Sequence, residues 1–159
     1  MKAEQAVQIV DFLSKYNKHF TEVVGFLTEK QQKVLADDLI WLHDSLANEQ
    51  RLSMAGLSLE NKRLEMLESM GFDEYTSTQL LEVCPEDCKG RLKLECVNIE
   101  GSIDRIKALN ADILDTIEKK ISVAESYLRD KGVASPSVYD GAGSKKRSSD
   151  LDDNFIGSM

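Results

Sequence analysis

The stretch CPEDC, from Cys84 to Cys88, holds the strongest candidates for metal or redox chemistry in the sequence. Its spacing brings both sulfur atoms to one face of a helix start, where the helix dipole can lower the pKa of a thiol. A zinc site usually needs four ligands with close pairs, but the chain offers only one further cysteine and two histidines in distant segments, His19 and His43. The sequence therefore favours a proline-started helix with small buried thiols, and Cys96 falls on the apolar stripe of that helix.

The two histidines do not lie in a pattern that is typical of an enzyme. A di-metal carboxylate bundle needs Glu-x-x-His pairs, but Tyr16 stands three residues before His19 and Ile40 three residues before His43. A serine nucleophile with a histidine base cannot be inferred either. With two histidines and many serines, some pairs occur by chance, and the sequence does not show whether their side chains meet. We therefore expect no enzymatic activity, no metal and no cofactor.

Composition and charge narrow the classes of partner. The chain has 159 residues, of which 42% are hydrophobic, and a formal net charge of -8, which disfavours nucleic acid and anionic membranes as partners. No apolar run approaches the roughly 18 residues that span a bilayer, and the start MKAEQAVQIVDF lacks the apolar segment of a secretory signal. Three cysteines also make a poor disulfide framework. These features predict a cytoplasmic protein without membrane insertion.

A long apolar stripe predicts the first helix over about residues 3–36. Its members recur at alternating steps of three and four, a period that is typical of the seam between packed helices. They are Ala6, Ile9, Leu13, Tyr16, Phe20, Val23, Leu27, Lys30 and Val34. We therefore expect this helix to pack along another helix over its length.

The second helix is predicted over about residues 38–70. Asp37 or Asp38 can cap its start, because a carboxylate accepts hydrogen bonds from the free N–H groups of a first turn. One unbroken helix through both aspartates remains the alternative, since no glycine or proline enforces a reversal there. The middle of the apolar seam is polar, at Glu49, Gln50 and Ser53. This helix therefore cannot cover every turn of the two other long helices with apolar side chains.

A third long helix is predicted over about residues 85–131, after a short helical connector. Pro85 suits its first turn, and Glu86 and Asp87 lie favourably at the N-terminal end of the helix dipole. Its stripe comprises Leu92, Cys96, Ile99, Ile103, Ile106, Asn110, Ile113, Ile117, Lys120 or Ile121, Ala124, and Tyr127 or Leu128. After Gly132 the chain is rich in Ser, Gly and Asp, which predicts a flexible tail.

These elements predict an all-α fold. We expect an elongated, coiled-coil-like, antiparallel bundle of three long helices over residues 1–132, with a flexible C-terminal tail over residues 133–159. When free, the chain is expected to be a monomer or a weak dimer.

The isoleucine stripe of the third helix has two interpretations. It can be core packing, or part of it can accept a foreign amphipathic helix whose apolar side chains fill a groove. The polar middle of helix two and the continuation of the stripe to the end of helix three favour a binding surface in the C-terminal half. That predicted surface comprises Ile113, Ile117, Ile121, Ala124 and Leu128. Ile103 and Ile106 are assigned to the core, with Asn110 near the boundary.

The layout resembles the FlgN-type flagellar export chaperones over nearly the whole chain. The segment KQQKVLADDLIWLHDSLANEQRLSMAGLSLENKRLEML is similar to the characteristic run of that family. Its matching positions are Asp38, a series of spaced leucines, Glu49, Leu57, Glu60 and Arg63. LNADIL resembles the asparagine-plus-leucine signature of the third helix, and SVYDGAG resembles a tail element in which a tyrosine is followed closely by glycine.

The resemblance implies a cytosolic chaperone that binds the C-terminal segments of the hook-filament junction proteins FlgK and FlgL. It would prevent their premature assembly and deliver them to the type III export apparatus, whose gate component is FlhA. Tyr139 would then be the docking contact for the gate. The strongest alternative is a homo-oligomeric coiled-coil scaffold or adaptor that uses the same seams, and a third is a redox-active helical protein using Cys84 and Cys88.

Overall fold

Helices make up nearly all of the described chain, and the protein is all-α. The computed structural model describes residues 1–132, of which about 87% are helical, with no strand among them. The helices are α1 (Ala3–Leu35), α2 (Leu39–Asp44), α3 (Leu46–Ser69), α4 (Ser77–Val83) and α5 (Glu86–Asp130). None of the five is both long enough and apolar enough to cross a membrane. The predicted tail, residues 133–159, lies outside the described part of the chain.

The chain divides into two compact units, Met1–Thr116 and Ile117–Met159. The boundary falls inside α5. Of the second unit, the structure describes residues 117–132, which comprise the last turns of α5 and the two residues after it.

The turn after α1 separates the first predicted helix from the second. Asp37 has a φ of +58°, in the left-handed region that interrupts a right-handed helix. Asp38 then caps α2, because its Oδ1 accepts a hydrogen bond from the backbone N–H of Trp41 at 3.1 Å. Its Oδ2 lies 2.8 Å from Lys33 Nζ. The single unbroken helix that the sequence left open does not form.

The second predicted helix, residues 38–70, is divided at Ser45 into α2 and α3. The backbone of Ser45 keeps helical dihedrals, with φ -77° and ψ -13°. Its hydroxyl donates to the carbonyl oxygen of Leu42 at 2.9 Å, a local bond of the kind that bends helices. Ser45 is the one residue between α2 and α3 that belongs to neither helix.

α3 packs antiparallel to α1. Close to the turn, Lys30 Nζ lies 2.7 Å from Glu49 Oε1. Farther from the turn, the Tyr16 hydroxyl donates to Glu60 Oε2 at 2.9 Å. The residue numbers of the paired side chains fall on one helix as they rise on the other, which defines the antiparallel direction.

Within the first unit, α5 runs in the same direction as α1. Arg91 Nη2 lies 3.5 Å from Asp11 Oδ1 near the start of both helices. Gln31 Nε2 donates to Asp112 Oδ2 at 3.3 Å near the end of α1. The side chains of these two helices therefore meet along most of the length of α1.

A hydrophobic core cluster lies where α1 and α5 begin and α3 ends. The connector contributes to it through α4, whose start is capped by Thr76: the Thr76 Oγ1 accepts from the backbone N–H of Gln79 at 3.3 Å. The buried members are Ala6, Ile9, Val10, Leu67, Phe72, Leu80, Cys84 and Leu92. This cluster packs the start of α5 against the start of α1.

Candidate protein-binding surface

The apolar stripe of α5 changes from buried to exposed along the helix. Leu109 and Ile113 are almost fully buried in the first unit, with exposed fractions of 1% and 5%. Ile103 and Ile106 are half-buried, and Asn110 is exposed. The buried position at this turn is Leu109, which the predicted stripe passed over in favour of Asn110.

The five residues of the predicted binding surface have different environments. Ile113 is buried in the first unit. Ile117 and Leu128 are half-buried, whereas Ile121 and Ala124 are exposed, and all four belong to the second unit. We call Ile117, Ile121, Ala124 and Leu128 the terminal α5 surface.

Val123 and Tyr127 are two further exposed apolar residues in the last turns of α5. Their exposed fractions are 70% and 62%, compared with 52% for Ile121. They are four residues apart and share one helix face, but at about 100° per residue that face lies roughly 120–160° around α5 from Ile121 and outside the terminal α5 surface. Lys131 Nζ lies 5.7 Å from the centre of the Tyr127 ring, in cation–π contact. The periodicity offered Tyr127 only as an alternative to Leu128, and both face solvent at least in part.

A groove in the first unit lies where the middle of α3 is polar. Its volume is about 420 Å³, and its apolar lining comes from α1, α3 and α5, including Phe20, Leu27, Leu52 and Ile106. Gly56 of α3 forms part of the wall, and a Cβ at this position would lie 3.0 Å from His19 Nε2. Because position 56 has no side chain, there is room beside it for the His19 imidazole. The groove lies at the polar part of α3, where apolar side chains do not fill the space between the helices.

A polar cluster stands beside this groove. Arg63 donates to both carboxylate oxygens of Glu60, from Nη2 at 2.7 Å and from Nε at 2.9 Å. This bond holds the pKa of Glu60 below its usual value. Burial, and then the hydrogen bond to Glu60, raise the pKa of Tyr16 from 10.0 to about 12. The cluster therefore holds a neutral tyrosine and an ionised glutamate across α1 and α3.

The cysteines lie in or beside the core. Cys84 is buried in the core cluster, and Cys88 and Cys96 pack against it as free thiols. Burial raises the pKa of the Cys84 thiol, and the neighbouring Cys88 adds to this shift. Burial likewise raises the pKa of Cys96. A raised pKa leaves less thiolate at neutral pH and so slows attack on oxidants.

The structure keeps the other candidate groups apart. His19 lines the groove, whereas His43 is exposed on α2, with Nδ1 3.1 Å from Asp44 Oδ1. In residues 1–132 no group of three or more His, Cys, Asp or Glu side chains is placed to hold a metal ion. Tyr139, the expected gate-docking residue, lies outside the described residues.

This chain was compared with protein-family models, with curated proteins and with solved structures, and no match was found. Two features of the described residues could serve binding: an apolar terminal α5 surface open to solvent, and an apolar groove in the first unit.

Proposed function

We propose that this chain is an export chaperone of the FlgN type. It binds the C-terminal amphipathic segments of the junction proteins FlgK and FlgL in the cytoplasm, prevents their premature assembly and delivers them to the export gate component FlhA. It has no enzymatic activity. The proposal includes an antiparallel three-helix bundle formed by α1, α3 and the first part of α5, supported by the side-chain pairs that link these helices.

The change of environment along the isoleucine stripe is the observation that carries this proposal. Ile113 is 5% exposed and Ile121, two turns later on the same helix, is 52% exposed. Burying a large apolar side chain contributes about 1.5–3 kcal/mol, and Ile121 leaves much of that contribution unused in the free chain. An amphipathic helix that covers the terminal α5 surface would gain it.

The same surface suits a client that must later be released. A segment that becomes ordered on binding loses about 2–5 kcal/mol of the interaction energy to ordering, which keeps its affinity moderate for the area it buries. The net charge of -8 keeps the free chain and its complexes soluble. Moderate affinity and solubility are what transient delivery requires.

Titration of the purified chain with the C-terminal segments of FlgK and FlgL tests the proposal. We expect Ile117→Asp and Leu128→Asp to abolish binding, because each places a charge in the apolar contact, while circular dichroism shows an intact fold. Val97→Asp is the matched control, because Val97 lies on α5 in the first unit and is 54% exposed. This variant should leave binding unchanged. Binding that survives both substitutions would contradict the proposal, and unfolding of both variants would mean that these residues belong to the core.

Tyr139 is proposed as a separate contact for the export gate. Tyr139→Ala should leave the affinity for the FlgK and FlgL segments unchanged and weaken binding of the loaded chain to FlhA. Equal loss of both interactions would show that the tyrosine serves client binding instead.

A homo-oligomeric coiled-coil scaffold is the second candidate function. It is favoured by Leu94 and Val97, exposed by 58% and 54% one turn apart on α5 in the first unit, which could form a seam between copies. Mass measurement by sedimentation separates the two candidates. A stable dimer that Leu94→Ser dissociates would support the scaffold, whereas a monomer over the working concentration range would support the chaperone.

A further inference from the structure

Four large aliphatic side chains stand exposed around the turn between α1 and α3. We call residues 35–46 the α2 tip. The exposed fractions are 54% for Leu35, 73% for Leu39, 78% for Ile40 and 58% for Leu46. Leu39 and Ile40 are more exposed than any other large apolar side chain that the structure describes. Such a cluster is typical of an interaction site and not of a solvent-facing turn.

The backbone under these side chains is firmly held. Asp38 caps α2 through the N–H of Trp41 and also pairs with Lys33. The Trp41 ring stacks on the Phe26 ring at a centroid distance of 5.9 Å. Lys33 Nζ lies 5.9 Å from the centre of the Trp41 ring. Leu39 and Ile40 therefore project from a turn that is already ordered, and a partner would pay little entropy to fix it.

The fold gains little from Leu39 and Ile40 themselves. Each is at least 73% exposed, so most of its surface contributes nothing to the hydrophobic core. Trp41, between them and the core, provides the packing that anchors α2 through Phe26. Polar residues would serve at positions 39 and 40 equally well if the tip were only a connection.

The charge of the tip restricts what can cover it. Between Leu35 and Leu46 the sequence has three aspartates and no lysine or arginine, and Lys33 pairs with one of them, Asp38. Two tips brought together would place their aspartates near one another, and an anionic lipid surface would repel them. A partner that is apolar at its centre and basic at its rim is complementary to both features.

We propose that the α2 tip is a second docking site, at which Leu39 and Ile40 enter an apolar groove bordered by lysine and arginine on a partner protein. The site lies in the first unit and uses none of the residues of the terminal α5 surface. It therefore stands or falls independently of the chaperone proposal.

Trp41 provides a local reporter, because it is the only tryptophan of the chain. The probe is a synthetic, tryptophan-free amphipathic helix of about 18 residues with leucine on one face and lysine on the other. Titration into the full chain should shift the Trp41 fluorescence. A helix with the same leucine face and glutamate in place of lysine should bind at least about tenfold more weakly.

Two double variants locate the contact. Leu39→Ser with Ile40→Ser should weaken by about tenfold or more the binding of the leucine–lysine helix that the Trp41 fluorescence reports. Leu94→Ser with Val97→Ser removes two exposed aliphatic side chains of α5 and should change it by less than about twofold. Unfolding curves measured on both variants verify that the fold is intact.

Three results would overturn the proposal. Equal effects of the two double variants would mean that the peptide binds apolar surface without preference for the tip. Equal binding of the lysine and glutamate helices would remove the charge argument. A wild-type dimer that the Leu39→Ser and Ile40→Ser variant dissociates would assign the tip to a second copy of this chain.

Discussion

Glu60 illustrates how one residue links two helices. It accepts hydrogen bonds from Tyr16 of α1 and from Arg63 of its own helix. Arg63 lowers the pKa of Glu60, so this part of the stability is present above the ordinary pKa of glutamate and is lost as the pH falls through the lowered value. Spacing alone predicts the pair of Glu60 with Arg63, three residues apart on a helix. It does not predict Tyr16, because that contact depends on how α1 and α3 align.

At alkaline pH, Tyr16 should make the fold sensitive to the ionisation of its phenol. Its pKa is raised from 10.0 to about 12 in the folded protein, so the stabilisation is complete below pH 10 and is lost as the pH rises through the interval between the two values. Tyr16→Phe should remove this part of the alkaline decline. Urea unfolding of both proteins between about pH 8 and about pH 12 measures it. Parallel curves at every pH would contradict the assignment.

At the scale of elements, the long periodic helices could be predicted and their interruptions could not. The first helix was expected over about residues 3–36 and is Ala3–Leu35, because a long apolar stripe and a capping aspartate both mark its extent. The break at Ser45 has no such signal, because no glycine or proline marks it, and the hydrogen bond from its hydroxyl to the carbonyl of Leu42 is local geometry that a sequence pattern does not show. Likewise, the burial of Leu109 in place of Asn110 depends on how α5 is rotated against α1, which periodicity does not specify.

The groove wall at α3 leads to a prediction about two glycines. Gly25→Ala in α1 adds a Cβ with no atom within 4 Å and should stabilise the fold by about 1 kcal/mol through helix propensity. Gly56→Ala gains the same propensity but places its Cβ 3.0 Å from His19 Nε2, so its net effect should be smaller. Urea unfolding compares the two.

A double variant then isolates the contact with His19. In His19→Ala, the Gly56→Ala change should give its full helix-propensity gain, and the difference between the two backgrounds is the coupling energy. No coupling between the two positions would mean that the imidazole does not depend on the gap at Gly56.

The two halves of the isoleucine stripe should respond differently to truncation. Ile113→Ala removes a side chain that is 5% exposed and should lower the free energy of unfolding by about 2–4 kcal/mol, as large-to-small core changes do. Ile121→Ala removes one that is 52% exposed and should lower it by about 0.5 kcal/mol or less. Chemical denaturation measures both. Equal losses would place Ile121 in the core and remove it from the candidate surface.

At the scale of the whole molecule, the hydrophobic core and the proposed client surface lie in different parts of the chain. The core cluster and the groove belong to the first compact unit, whereas Ile121, Ala124 and Leu128 belong to the second. The sequence predicted an apolar surface at the end of the last helix but included Ile113, which is buried. The constant period of the apolar stripe does not show at which residue the other helices stop covering α5. The boundary between its buried part and its exposed part therefore required the three-dimensional structure.

Amide hydrogen exchange can show whether a client segment covers the terminal α5 surface. The exchange of the free chain is compared with that of the chain saturated with the C-terminal segment of FlgL. We expect slowed exchange in residues 117–130, because a bound helix suppresses local opening of an otherwise solvent-exposed helix end. Slowed exchange confined to the lining of the groove, or no change in α5 beyond Ile113, would contradict this client contact.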